Sequence, residues 1–579
     1  MASPGAGLRT FTLALLVGAA GQLAAQGPKD LPLKYSGPAT VPAITAGDLM
    51  TRLYKYADDS MGGRFVGSKY NLMATAYIES EVRRLGLKPA GENGSYFQNI
   101  GVIQRALDTA TSTITIDGAT YHAGRDFVAA EDGQVHQVSA TGTVVWGTVL
   151  DTIGNPTPEE YKGKFVVVAP LMALPAGFDQ GKFIASDGYK RYVAMLDGTV
   201  GQLQIDPDTL LTNQVRMAAA PPPASISQTL DRPGALRIVI SHKLANAIFG
   251  EGAAIKPGIS GKGITTDLRF TDTPREGRNV IAILPGTDPK LRGEYVAIGA
   301  HNDHIPMQRV VDHDSLKIFN EYARPQGADG GPTKKLSDDE WKAVNSQIDS
   351  LHKLHGGPRP DSISNGADDD GSGTVTVLEL AEAFAKGNIK PKRSILFIWH
   401  AGEERGMWGS GWFTDHPTVP RDSIVAEINI DMVGRGAPSD ITGVTKEGEL
   451  VHGADRYVQL VGSRRLSTEL GDLAETVNKN PKYNFKFDYS LDANGHPENI
   501  YCRSDHAKYA AWGIPVVFFT TGGHADYHQV TDEPQYIRYD HMALLDNYIF
   551  DLANHVADLD HRVKVDGQKM ADPHGQCKQ

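Results

Sequence analysis

Two adjacent carboxylates, Glu403 and Glu404, follow the run RSILFIWHAG that begins at residue 393. Ile395 to Trp399 is uninterrupted apolar chain, which predicts a strand buried on both faces, and open α/β sheets bind ligands beyond the carboxyl ends of such strands. A Glu-Glu pair alone favours a solvated helix surface over a site. Four further segments change that reading. YVAIGA runs into His301 and Asp303; NGADDDGSG supplies Asp369 ahead of a helix; IVAEINI ends at Asp431; IPVVFFTT leads into GGHADYHQVTDEP with His528. Four of the five segments are strands with the ionisable residue at the carboxyl end, which places those residues on one edge of a parallel sheet.

Two histidines and three carboxylates, with a fourth carboxylate left over, suit a pair of divalent ions bridged by one carboxylate and one water. Two dications bring four positive charges; three ligand carboxylates and a bridging hydroxide remove them. The surplus carboxylate then serves better as a proton acceptor than as a ligand. Imidazole and carboxylate donors without thiolate favour zinc, with manganese or cobalt as substitutes.

The ordered set HND, GADDDGSG, a Glu-Glu pair after a strand, NIDMVG and YHQVTDE resembles the M28 family of zinc peptidases, over roughly residues 278–300 and 365–535. The resemblance implies a zinc-exopeptidase fold with two zinc ions per chain. It makes Asp369 the bridging carboxylate, with His301 and Asp431 on one zinc and Glu404 and His528 on the other, and Glu403 the general base. Asp369 is selected because the family's bridging aspartate precedes the second glycine of its loop, here Gly373, by four positions; Asp368 and Asp370 stay open. Asp303 matches an acid that hydrogen-bonds the ligand imidazole, a partner that metal-bound histidines commonly have. Tyr527 is a candidate oxyanion donor, and Arg503, in CRSDHA, a candidate substrate contact. The implied activity is that of a secreted di-zinc exopeptidase acting on peptides, as an aminopeptidase. A carboxypeptidase of the glutamate-carboxypeptidase type remains an alternative, with Arg309, Lys317 or Arg324 holding the substrate carboxylate. A glutaminyl cyclase and a non-catalytic receptor-like scaffold are the others.

A rival pattern sits on the same loop, because Asp368, Asp370, Ser372, Gly373 and Glu379 satisfy an EF-hand calcium loop. An EF-hand needs a preceding helix, whereas GGPRPDSISNGA is rich in helix breakers. His304, His313 and Asp314 read as solvated loop residues rather than ligands of a further ion. His242, His352 and His355 have no carboxylate at a recognisable spacing and read as surface or core histidines.

The elements that must position these groups form an α/β unit with a mixed, largely parallel sheet flanked by helices. The expected organisation is a signal segment over residues 1–25, a helical amino-terminal part over 26–129, and a β-rich insert resembling a protease-associated domain over 130–255. The catalytic unit follows over 256–565, with a tail over 566–579. Residues 305–365, charged and weakly periodic, form an insertion long enough to act as a lid. The chain of 579 residues exceeds one hydrophobic core, and its formal charge of −12 carries no basic block, which argues against a nucleic-acid partner. Arg9 followed by the apolar run Phe11 to Ala20 and small residues predicts an export signal and a secreted or periplasmic protein, with no later run of membrane-spanning length. Cys502 and Cys577 are the two cysteines, so no cysteine metal cluster is available, and their pairing and the oligomeric state stay open.

Overall fold

A computed structural model of the chain describes residues 31–131, 136–146, 158–167, 198–205, 224–226, 236–251, 259–328, 333–575 and 577–579. The predicted signal segment and most of the linker MAAAPPPAS lie outside the described residues. No helix among the described residues is long and apolar enough to cross a membrane.

Two large sheets organise the described residues. The nine-stranded sheet is built around β1 (Arg278–Leu284), β2 (Tyr295–His301), β3 (Ser394–His400), β4 (Ile424–Ile430), β5 (Tyr457–Val461) and β6 (Val516–Thr520). Its central strands lie in the order β3-β2-β4-β6 and are mutually parallel, while β1 and β5 flank them antiparallel. Parallel strands covered on both faces must be apolar throughout. Accordingly β3 and β4 are buried at every position. In-register pairing of His301 with His400 brings the carboxyl ends of β2 and β3 level.

Helices α1 (Ala46–Tyr56), α2 (Lys69–Leu85), α5 (Gly373–Lys386) and α6 (Tyr539–Asp558) cover one face. There Val375, Phe384, Leu545 and Ile549 pack with Ile298, Phe397 and Ile428. On the other face Phe413, Tyr509 and Ala510 meet Ile281, Leu396 and Ile398. The starts of α1 and α2 are set by Thr45 and Ser68, whose hydroxyls accept the Asp48 and Asn71 amides; Gly86 ends α2 at φ 76°, a conformation that costs glycine little. Arg52, almost fully buried on α1, is neutralised by Glu379 and Glu382 of α5 and by Glu81 of α2.

Among the described residues the second sheet has ten strands, which run from Val102 to Arg275 and thus start before and end beyond the segment 130–255 read as β-rich. The cause is the sixteen-residue strand Ser260–Arg275, which pairs with Gln137–Trp146 and with the earlier strands Val102–Leu107 and Thr113–Ile116. The insertion after β2 is more ordered than its composition predicts. It forms α3 (His313–Ala323) and α4 (Asp338–His355), the latter opened by a capping box between Ser337 and Glu340.

Candidate metal and substrate site

The three consecutive aspartates after Ala367 have different partners, and their backbone surroundings separate them. Asp368 Oδ1 accepts the Gly434 amide at 2.6 Å, and its other oxygen lies 3.2 Å from His524 Nε2. Asp370 accepts the amides of His301 at 3.0 Å and Gly373 at 2.8 Å. Asp369 alone faces both histidines, with Oδ1 3.2 Å from His301 Nε2 and Oδ2 3.1 Å from His528 Nε2. Asp532 fixes this loop from behind by accepting the amides of Asp368 and Asp369. No EF-hand forms: residues 367–372 are one irregular helical turn running directly into α5.

Around Asp369 the remaining donors fall into two groups. His301, Asp369 and Asp431 can each present one atom within 4.8 Å of the others, and so can His304, Asp369 and Glu404. His528 Nε2 belongs with the second group, 3.1 Å from Glu404 Oε2. Asp369 is shared. Three carboxylates and neutral-capable imidazoles converging without a lysine or arginine among them are a donor set that fits two hard or borderline dications.

Asp303 lies at the end of β2, but its carboxylate does not take the bond expected from the imidazole. His301 Nδ1 is 3.1 Å from the Asp303 backbone carbonyl and 3.8 Å from its carboxylate. Asp303 Oδ1 instead accepts the amides of Gly402 at 2.6 Å and Glu403 at 3.1 Å, because the strand-end loop after β3 turns those two N–H groups toward it. Asp431 is oriented by Ser504, whose hydroxyl donates to Oδ2 at 2.7 Å and accepts from the Asn429 amide group. Ser504 sits next to Arg503 in the segment that reading by sequence singled out, yet a serine there carries no distinctive spacing signal.

His304 is fully buried rather than solvated, with Nδ1 2.8 Å from Glu404 Oε1 and its ring edge-on to His528. His313 and Asp314 are likewise buried. His352 and His355 do have carboxylate neighbours: Asp312 and Asp314, each at 2.7 Å. Long-range pairing between α3 and α4 is invisible to spacing. Asp312, Asp314 and His352 converge closely enough to hold an ion, but Arg359 donates to Asp314, and Asp312, as the cap of α3, accepts the Ser315 amide, so these groups are already engaged.

The electrostatics follow from this crowding. Burial opposes charge on His301, but Asp369 and Asp431 outweigh it and hold its pKa well above the ordinary value. Burial likewise opposes ionisation of Asp369, yet His301, His304 and His528 keep it well below the carboxylate range. For Glu403, burial, reinforced by Asp431 and Glu404, outweighs the opposing pull of His301 and pushes its pKa well up. Burial also raises Asp303 to about 7, and it raises the Tyr527 phenol so that it stays protonated.

Asp369, Glu403, Glu404 and Asp431 open onto a cavity of about 360 Å³ that Arg503, Tyr527 and His528 also line. Tyr527 stacks on the His528 ring at 3.9 Å. Five carboxylates, from Asp369, Glu403, Glu404, Asp431 and Glu498, border it against the single guanidinium of Arg503. Met432, Leu491, Ile500 and Phe518 supply apolar wall.

Residues 279–553 match the family model described as Peptidase family M28. A leucine aminopeptidase 1 from Coccidioides posadasii (strain C735) is 32% identical over 190 residues, which is 31% of this chain and 43% of that protein. Leupeptin-inactivating enzyme 1 from Streptomyces exfoliatus is 28% identical over 185 residues, again 31% of this chain and 35% of that protein. The chain thus spans less than half the length of these relatives. Among solved structures, the aminopeptidase from Aneurinibacillus sp. strain AM-1 aligns over 91% of this chain and 97% of its own, at 14% identity and a TM-score of 0.47.

Proposed function

We propose that this chain, whose residues 279–553 match the family model described as Peptidase family M28, is a di-zinc aminopeptidase that releases amino-terminal residues from peptides. The observation that carries the reading is Asp369, shared by two donor groups, while Glu403 lines the same cavity and belongs to neither group. His301 and Asp431 would hold one zinc, Glu404 and His528 the other, with Asp369 common to both. Bound zinc supplies Lewis acidity, which activates water and polarises a carbonyl.

The protein's own groups do the rest. Glu403 accepts the proton of the attacking water and passes it to the leaving amine, a task suited to a carboxylate whose proton affinity burial has raised. Tyr527, kept protonated, donates to the oxygen that becomes negative. The carboxylates bordering the cavity favour a free α-ammonium, and the apolar wall accepts its side chain. Against the carboxypeptidase alternative, Lys317 is committed to Asp526 at 2.7 Å and Arg324 donates to Thr333. Residues 1–25 we read as an export signal and the ten-stranded sheet as a docking module resembling a protease-associated domain.

The test is a matched set of substrates assayed with zinc counted in parallel. A leucyl peptide and its carboxyl-amidated form are expected to be cut, and the amino-acetylated form to be nearly inert. The opposite ranking assigns the carboxypeptidase activity instead.

A further inference from the structure

The cavity wall between Leu491 and Arg503 has almost no regular structure of its own. It consists of two single turns, Ser490–Asp492 and Ile500–Cys502, joined by irregular chain whose internal hydrogen bonds are mostly short-range turns. Segments of that kind open at low free-energy cost unless held from outside. Yet Leu491, Glu498, Ile500 and Arg503 all line the cavity, so their positions set its shape.

The outside hold comes from residues 577–579. Cys577 is disulfide-bonded to Cys502. The Gln579 side chain donates to the carbonyls of Leu491 and Ala493 and accepts the Tyr501 amide at 3.0 Å. Its backbone amide donates to Asn499 Oδ1, and its carbonyl accepts the Gly495 amide, each at 3.0 Å. One residue therefore ties both turns and the chain between them. Arg465, paired with Asp492 and lying over the Tyr501 ring, and His496, bonded to the Val444 carbonyl, anchor the same segment to the body from its other side.

We propose that Gln579, together with the Cys502–Cys577 bridge, is a positioning element of the substrate cavity: it keeps the 491–503 wall in its substrate-binding shape without touching the metal ligands. The proposal rests on reading this cavity as the peptide site. Substrate affinity should then fall in proportion to the fraction of molecules with an ordered wall, while the chemistry on bound substrate is little changed.

The experiment compares full-length wild type with Gln579→Ala and with the double variant Cys502→Ser/Cys577→Ser. It measures KM and kcat on leucyl-p-nitroanilide, zinc content, and amide hydrogen exchange. Gln579→Ala should raise KM about five- to twentyfold with kcat within about twofold, since several hydrogen bonds are lost together. Zinc content should stay at wild-type level, and exchange should accelerate over 489–503 but not in β2 or β3. Gln579→Ala leaves the disulfide and the hydrophobic core intact, so it decides the matter if the double variant misfolds. Unchanged KM and exchange in Gln579→Ala would overturn the proposal, as would a fall in kcat accompanied by zinc loss. If wild type cuts no amino-terminal substrate, the reading of the activity fails; localised exchange at 489–503 then still tells whether Gln579 holds the wall.

Discussion

The Asp303 carboxylate accepts the backbone amide of Glu403 at 3.1 Å. Together with the bond from the Gly402 amide at 2.6 Å, it joins the end of β2 to the loop after β3 and fixes which way that loop turns. With the amides of Gly402 and Glu403 directed down to Asp303, the Glu403 side chain is left to face the cavity. The acid two residues after His301 thus serves Glu403, the proposed general base, more directly than it serves the imidazole.

Glu403→Gln is expected to keep both metals while activity falls by about two to four orders of magnitude, the usual scale of acid-base assistance. The amide keeps the side chain's size and removes its basicity. Zinc analysis alongside turnover numbers checks this; near-normal turnover would remove Glu403 from proton transfer.

Asp369 and His528 should behave differently on substitution, because one is shared and the other is not. Asp369→Asn is expected to weaken both metal sites, whereas His528→Ala should chiefly empty one. Stepwise zinc titration distinguishes the two patterns. An Asp369→Asn protein holding two tight zincs would show that Asp368 or Asp370 bridges instead.

The strand-end residues were legible because buried parallel strands leave long apolar runs, so His301, the Glu403–Glu404 pair and Asp431 stand out where those runs stop. The choice among three adjacent aspartates was not legible from composition, since what separates them is which backbone amides from Gly434, Gly373 and His301 they meet. His304 looked like a loop residue because nothing in a short polar stretch records that Glu404, a hundred positions later, folds over it. Helix α4 carries Trp341, Val344, Ile348 and Leu351 at helical spacing behind the Ser337–Glu340 capping box, signals present in the sequence but set among charged residues, and only Val344 of them is buried.

Metal binding should depend strongly on pH through His301. Burial would lower its pKa, but Asp369 and Asp431 raise it well above the ordinary 6.5 in the metal-free site, so a proton competes for the same nitrogen at neutral pH. A raised histidine pKa means the protonated, metal-free form is favoured below that value and lost above it. Zinc affinity should therefore climb with pH from the ordinary histidine range upward, by up to about tenfold per unit, with proton release on binding. Competition against a chelator in several buffers measures the slope; a flat profile would place the proton elsewhere.

The insertion between β2 and the aspartate loop is fastened over the substrate side by one buried contact, Lys317 of α3 to Asp526, and Asp526 also receives Arg435 at 2.7 Å. Gln308 adds a bond to the His528 carbonyl, and the Ala328 amide donates to the Tyr527 carbonyl. Gln326 reaches the cavity itself. An insertion bonded to the chain at Tyr527 and His528 should sense how far a peptide extends beyond the cleaved bond. Replacing residues 305–365 by a short Gly/Ser link is expected to leave metal content largely intact while narrowing the rate difference between dipeptides and longer peptides. The milder Lys317→Ala should act in the same direction: it removes one charge from the buried Asp526 pair, and Arg435 remains to neutralise the carboxylate. Kinetics across di-, tri- and hexapeptides decide the point, and identical length preference in both variants would exclude the insertion from substrate selection.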